Sequence, residues 1–268
     1  MEIAAHIDSL ERDGQLLAAA AERAGLGDPV PSCPGWQLRD LLRHQGYVHR
    51  WAARFVTERL PRPDTRMNEA EILTAEPPDS KLVAWFREGH AALVAALRAA
   101  PPDLDCWTFL PAPSPLAFWA RRQAHETAMH RVDAELAAGG PVTAVAAEFA
   151  ADGIDELIMG FFGRDERRLS DEQRAGGRQG MRVQTTDTGQ QWQVELTEDG
   201  RRAASVQRGG TASTGVGSDG VVCTVDGPAA GLYLVLWNRA EPGPAAVTVS
   251  GNDMVLRAWR DGMRVTWQ

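Results

Sequence analysis

Two histidines and a glutamate fall within six residues of one stretch, HETAMH at 125–130. The pattern is close to the H-E-x-x-H of zinc proteases, but His125 and His130 are five apart rather than four and do not share a helix face. Glu126 and His130 are four apart. At that spacing both side chains project from one face about a turn apart and can reach a common point, so they are candidate metal ligands. Catalytic zinc is typically held by three protein ligands with a fourth position open, so one more group must come from elsewhere. On a helix expected from Gln37 to about Leu60, His44 lies three positions after Leu41 and four before Val48, on the apolar side. His49, next to Arg50, is expected on an exposed face. A His44, Glu126 and His130 set suits zinc, or a divalent ion such as nickel or iron, better than calcium or magnesium. The bland reading of the same residues is a weak helix-surface pair and a hydrogen-bonded core histidine. His125 points about 100° away from Glu126 and is expected at the surface or behind the ligands. Cys33 precedes the second helix in a proline-flanked turn, where packing is the expected role.

The elements that must carry these residues are mostly helical over the first 165 positions. Ile3, Ile7, Leu10, Leu17 and Ala21 form the apolar stripe of a first helix over 2–25, which GLGDPVPSCPG ends. The second, 37–60, is stopped by LPRPDTR; a third, 80–99, carries Leu82, Trp85, Phe86, Leu93 and Leu97 and closes at AAPPD. A proline-rich loop leads into the fourth, about Leu116–Ala138, and a shorter helical piece is expected over 143–162. Long helices with moderate loops predict an antiparallel bundle. Trp36, Trp51, Trp85, Trp107 and Trp119 are expected as core and pocket walls.

After GRDERRLSDEQRAGGRQG, the expected linker, the pattern changes. MRVQTTD, QWQVELTED and RAASVQR alternate apolar and polar residues as half-buried antiparallel strands do. GPAAGLYLVLWNR holds a helical apolar face, AAVTVSG a short strand, NDMVLRAWRDG a helix and MRVTWQ a last strand. The expected fold class is therefore α+β: a helical bundle over 1–165 and a small α+β domain over 180–268.

Composition sets the surroundings. In 268 residues, 44% are hydrophobic and 24% charged, enough to bury a proper core. The 28 basic residues against 36 acidic ones leave a net charge of -8, so no positive field is available for nucleic acid or anionic lipid. The first residues lack a signal-peptide pattern, no run is long enough to span a membrane, and three dispersed cysteines fit a reducing compartment. A cytoplasmic location is expected, with no nucleic-acid or membrane partner. Of the basic residues only Lys81 is lysine, and alanine is abundant, the mark of a GC-rich coding sequence.

VPSCPGWQLRDLLRHQGYVHRWA, residues 30–52, closely resembles the N-terminal motif of the mycothiol-dependent maleylpyruvate isomerase family, a branch of the DinB-like metal-binding four-helix bundles. RRQAHETAMHRVDAELAAG resembles its second motif, and TVDGPAAGLYLVLWNRAEPGPAAVTVSGNDMVLRAW resembles its smaller, sterol-carrier-like C-terminal domain. The resemblance implies that His44, Glu126 and His130 bind zinc and that Arg239, after the apolar helix of the second domain, contributes to activity as a catalytic residue. It also implies mycothiol, the thiol of actinobacteria, as cofactor. A thiol on the metal would lose its proton near neutral pH and become a nucleophile. It would then either add to a conjugated cis double bond, allow rotation and leave, or stay attached to an electrophilic small molecule. Transfer or isomerisation by a metal-bound thiolate is the expected function.

Two other classes stay open on the residues alone. A zinc hydrolase would activate water at the open position and needs a base near the metal, for which His125 is the only nearby candidate. A non-catalytic metal- and ligand-binding protein would close the site with a fourth protein ligand, and Cys33 is the residue to watch.

Overall fold

The computed structural model describes residues 1–62, 77–162, 179–196, 202–208 and 221–262. They form two compact units, Met1–Thr143 and Ala144–Gln268. The expected linker lies almost wholly outside the described residues, as does the strand expected at 263–268.

The first unit holds four long helices: α1 (Ile3–Arg23), α2 (Leu38–Glu58), α3 (Asp79–Ala99) and α4 (Pro115–Ala137). Two of them begin on side-chain hydrogen bonds that the sequence supplies. Ser114 caps α4, its Oγ accepting from Ala117 N at 3.1 Å, with Pro115 in the first turn where its missing N–H goes unnoticed. At the start of α2, Gln37 N donates to Asp40 Oδ2 at 2.9 Å. α1 packs chiefly on α4, and α2 on α3. Between α2 and α3 the fit depends on two glycines: a Cβ at Gly46 would collide with the Trp85 ring, and one at Gly89 with the Arg50 guanidinium. Arg50 in turn lies 3.9 Å over the Trp85 ring and donates to the Trp85 carbonyl at 2.7 Å.

α4 departs from the amphipathic pattern. From Phe118 to Glu135 nearly every residue is buried, including Arg122, Gln123, His125, Glu126, Arg131 and Asp133. A helix covered on all sides needs polar residues paired with one another rather than turned to water. At its N-terminal end Trp51, Phe55, Trp107, Phe109, Phe118 and Trp119 form an aromatic cluster, with ring centroids 4.8–6.5 Å apart.

In the second unit, α5 (Ala147–Asp155) runs into a π-helical segment, Glu156–Phe162. The sequence places this piece with the bundle; the structure sets the break between Thr143 and Ala144, and α5 packs on α6 (Ala229–Leu236). The strands β1 (Gln179–Thr185), β2 (Gln190–Leu196), β3 (Arg202–Arg208), β4 (Val221–Gly227) and β5 (Thr248–Gly251) form one sheet in the order β3-β2-β1-β4-β5. All pairs are antiparallel except β1 with β4. Alternation puts Met181, Val183, Trp192, Val194, Cys223 and Val225 in the core, and the register sets them opposite one another: Val183 meets Trp192 on one side and Val225 on the other. β4 is an element that sequence patterning does not single out. α7 (Met254–Gly262) packs on β1 and β4. The fold is thus α+β, as expected.

Candidate metal centre

The turn before α2 positions three groups around the candidate ligands. Cys33, Pro34, Gly35 and Trp36 make a β-turn in which Trp36 N donates to Cys33 O at 3.0 Å. Gly35 has φ 89°, the left-handed value that the third position of a type II turn requires after proline. A bridge between Pro29 and Gln37 and a bond from Val30 N to Trp36 O close the loop. The result fixes Ser32, Cys33 and Trp36 beside α4.

His44 of α2 and Glu126 and His130 of α4 then converge: one donor atom from each lies within 4.8 Å of the others. Glu126 Oε1 is 3.3 Å from His130 Nε2 and 3.6 Å from His44 Nε2. Side-chain exposure is 14% for His44, 4% for Glu126 and 7% for His130, so the site is nearly closed and His44 is its most accessible member. Trp36 lies against both imidazoles, tilted at 5.1 Å from His44 and stacked at 6.4 Å on His130.

Each ligand candidate is held from behind. Arg122, fully buried, donates through Nη2 to Glu126 Oε2 at 2.6 Å. That leaves Oε1 facing the histidines, and Oε1 is buried yet accepts no hydrogen bond among the described residues. Burial pushes the Glu126 carboxyl up, but Arg122, then His130 and His44, hold it well below the usual range. His130 Nδ1 lies 2.9 Å from Asp133 Oδ2. Burial lowers the imidazolium, Asp133 and Glu126 outweigh it, and in the metal-free chain the pKa rises to about 9. Asp133 is itself held: Ser32 Oγ donates to Oδ1 at 2.5 Å, and Cys33 Sγ lies 3.6 Å from Oδ2. A carboxylate on the far nitrogen of a histidine is the usual outer support of a metal-binding imidazole.

An orphaned carboxylate oxygen facing two imidazole nitrogens fits a borderline cation such as zinc, through one oxygen and two nitrogens. Arg122 and Asp133 are the functional candidates that sequence reasoning missed. Their signals were present, an arginine four before Glu126 and an aspartate three after His130, but such spacings are ordinary on helix surfaces.

Two other expectations are corrected. His49 is fully buried, not exposed: its Nε2 lies 2.9 Å from both Gln45 Nε2 and Thr127 Oγ1, because α2 is flanked by α3 and α4 rather than by one neighbour. His125 is also fully buried, meeting the His6 ring edge-on at 5.9 Å, so it is no surface residue. Cys33 is not among the His44, Glu126 and His130 donors; it groups with Asp133 and His130 instead. Arg239 follows α6 in the second unit, where its Nη1 donates to the Trp237 carbonyl at 2.7 Å.

Residues 7–135 match the family described as the mycothiol maleylpyruvate isomerase N-terminal domain, and residues 148–258 match the C-terminal domain of the same isomerase. Among solved structures, the mycothiol-dependent maleylpyruvate isomerase aligns over 94% of this chain and 95% of its own, with a TM-score of 0.59 at 14% identity. A histidine-to-alanine mutant of that isomerase gives the same TM-score at 13% identity and the same coverage. No curated protein matches the sequence. Identities this low show a shared fold, whereas the two domain matches together span most of the chain: it belongs to the mycothiol-dependent maleylpyruvate isomerase family.

Proposed function

We propose that the chain is a metal-dependent enzyme in which mycothiol adds to an electrophilic small molecule, and that His44, Glu126 and His130 are the metal ligands. Maleylpyruvate-like cis-trans isomerisation is one case and S-transfer the other. The observation that carries the reading is the convergence of Glu126 Oε1, buried and with no hydrogen bond of good geometry among the described residues, on His130 Nε2 at 3.3 Å and His44 Nε2 at 3.6 Å. In the metal-free chain the His130 imidazolium, 3.3 Å away, is the charge that faces this oxygen, and a divalent ion held by the same three donors would take its place. A zinc or similar divalent ion, when bound, supplies the Lewis acidity that holds a thiol as thiolate near neutral pH.

The chain's own residues orient and exclude. Arg122 keeps Glu126 ionised and turned so that a single oxygen points inward. Asp133 fixes the His130 ring through Nδ1 and leaves Nε2 for the metal. Trp36 covers both rings and limits water on that side. Arg239 is proposed, from its family position, to bind a substrate carboxylate by a bidentate pair. The hydrolase reading has less support, since its candidate base His125 is buried against His6. A structural site closed by Cys33 also has less support, since Cys33 stands with Asp133.

The test is metal content followed by calorimetric titration of mycothiol into wild type and His44→Ala. Near-stoichiometric zinc and thiol binding, both lost in the variant, is the expected result. Metal without thiol binding would overturn the thiol chemistry, and a metal-free wild type would overturn the site.

A further inference from the structure

His130 has two ring nitrogens, and the second one faces a different set of donors. Cys33 Sγ, a His130 nitrogen and an Asp133 oxygen lie within 4.8 Å of one another. Asp133 Oδ2 is 3.6 Å from Cys33 Sγ and 2.9 Å from His130 Nδ1. Donors on one tetrahedral zinc, at 2.0–2.3 Å from the ion, stand roughly 3.3–3.8 Å apart. Cys33 and Asp133 are already at that spacing, and His130 Nδ1 needs only a small shift away from Oδ2. Ser32 occupies the other oxygen, Oδ1, so the carboxylate is turned with Oδ2 toward the thiol and the ring. Asp133 and His130 are buried, while Cys33, on the turn before α2, is partly exposed and gives solvent a way in.

We propose that Cys33, Asp133 and His130 Nδ1 form a second metal site for a thiophilic cation such as Zn2+ or Cd2+, filled when metal is in excess. The donor set of thiolate, imidazole and carboxylate excludes calcium and magnesium on softness. Binding replaces two protons, one from the Cys33 thiol and one from His130 Nδ1, which pass to solvent as the sulfur–metal and nitrogen–metal bonds form; no electron is transferred. His130 then bridges the two sites. The inference shares His130 with the reading above but needs no thiol cofactor and no substrate. Filling the second site removes the Asp133 contact that orients His130, so excess metal weakens the first site and inhibits whatever it catalyses.

The experiment is a Cd2+ titration of the metal-free full-length chain, following the ultraviolet sulfur-to-cadmium charge-transfer band and bound metal by equilibrium dialysis. Wild type is expected to bind two ions with the band, and Cys33→Ser one ion without it. His44→Ala is expected to bind one ion and keep the band. A wild type that binds one ion without the band, or a band that survives in both Cys33→Ser and Cys33→Ala, overturns the second site. Failure of the first site reads differently: His44→Ala would then bind as many ions as wild type. Circular dichroism of each variant separates loss of a ligand from loss of the fold.

Discussion

In Met1–Thr143 the buried set includes Asp13, Gln45, His49, His90, Arg122, His125, Glu126, His130, Arg131, Asp133 and Glu135; among the described residues of Ala144–Gln268, the buried polar side chains are Glu156 and Thr185. The second unit needs only apolar packing and closed hairpins: Thr185 Oγ1 accepts from Gln190 N at 2.8 Å across the β1–β2 turn. The first unit carries buried charge that packing does not require. Buried ion pairs are weak contributors to stability, because desolvation offsets much of their attraction. The linked set of Arg122, Glu126, His44, His130 and Asp133 therefore points to a site and not to a sturdier core.

Arg122→Met puts this contrast under the greatest load. It strands the Glu126 carboxylate and is expected to destabilise the metal-free chain by about 3–5 kcal/mol in urea unfolding. Arg122→Met with Glu126→Leu is expected to recover wild-type stability or exceed it while the site of His44, Glu126 and His130 no longer fills; a double variant as unstable as the single one would mean the pair serves the fold. Trp192→Ala, in the second unit, is expected to cost about 3–5 kcal/mol through the cavity left beside Val183 and the lost bond to Asp155, with metal content of the folded protein unchanged. Loss of metal in that variant would break the distinction between the units.

Asp133→Asn sharpens it: metal affinity is expected to fall about 10–100-fold. Acidity offers a gentler test on the metal-free chain. Burial, followed by the neighbouring His90, holds His49 well below 6.5, and burial likewise lowers His90. The unfolded chain then takes up protons first, so their contribution is present above about 6.5 and lost as pH falls below it, at most about 1.4 kcal/mol per pH unit and group. His130 has the opposite sign, its contribution being full below about 6.5 and lost as pH rises through about 9. Thermal stability of the chelated chain should decline on both sides, and a flat profile would contradict these assignments. Smallest is Gly35→Ala, expected to cost about 1 kcal/mol because φ 89° strains a side chain there, with a modest loss of metal affinity as Trp36 shifts.

The ligand candidates were legible because helical spacing is a strong constraint: Glu126 and His130 must share a face, and His44 follows Leu41 by three. What failed was the assumption that each helix has a water side. It misplaced His49 and His125, and it gave no reason to single out Arg122. Polar residues on α4 carry no mark in the sequence to say that α4 is enclosed. In the second unit the hairpin strands were legible from alternation, whereas VVCTVDG pairs in parallel with β1, from which it is separated by two further strands, and no turn signal announces such a partner.

The fold also orders events during synthesis. Gln45 and Thr127, which meet at 3.1 Å, are 82 positions apart in the chain. At about 5–20 residues per second, roughly 4–16 s pass between the emergence of α2 and that of its partner on α4. Through that interval α1, whose chief partner is α4, has its apolar stripe uncovered on that side, and His44 has neither Glu126 nor His130 beside it. If the proposed site holds metal, its acquisition would be a late step in the life of the nascent chain, and an ion bound earlier would be held by a different set of atoms.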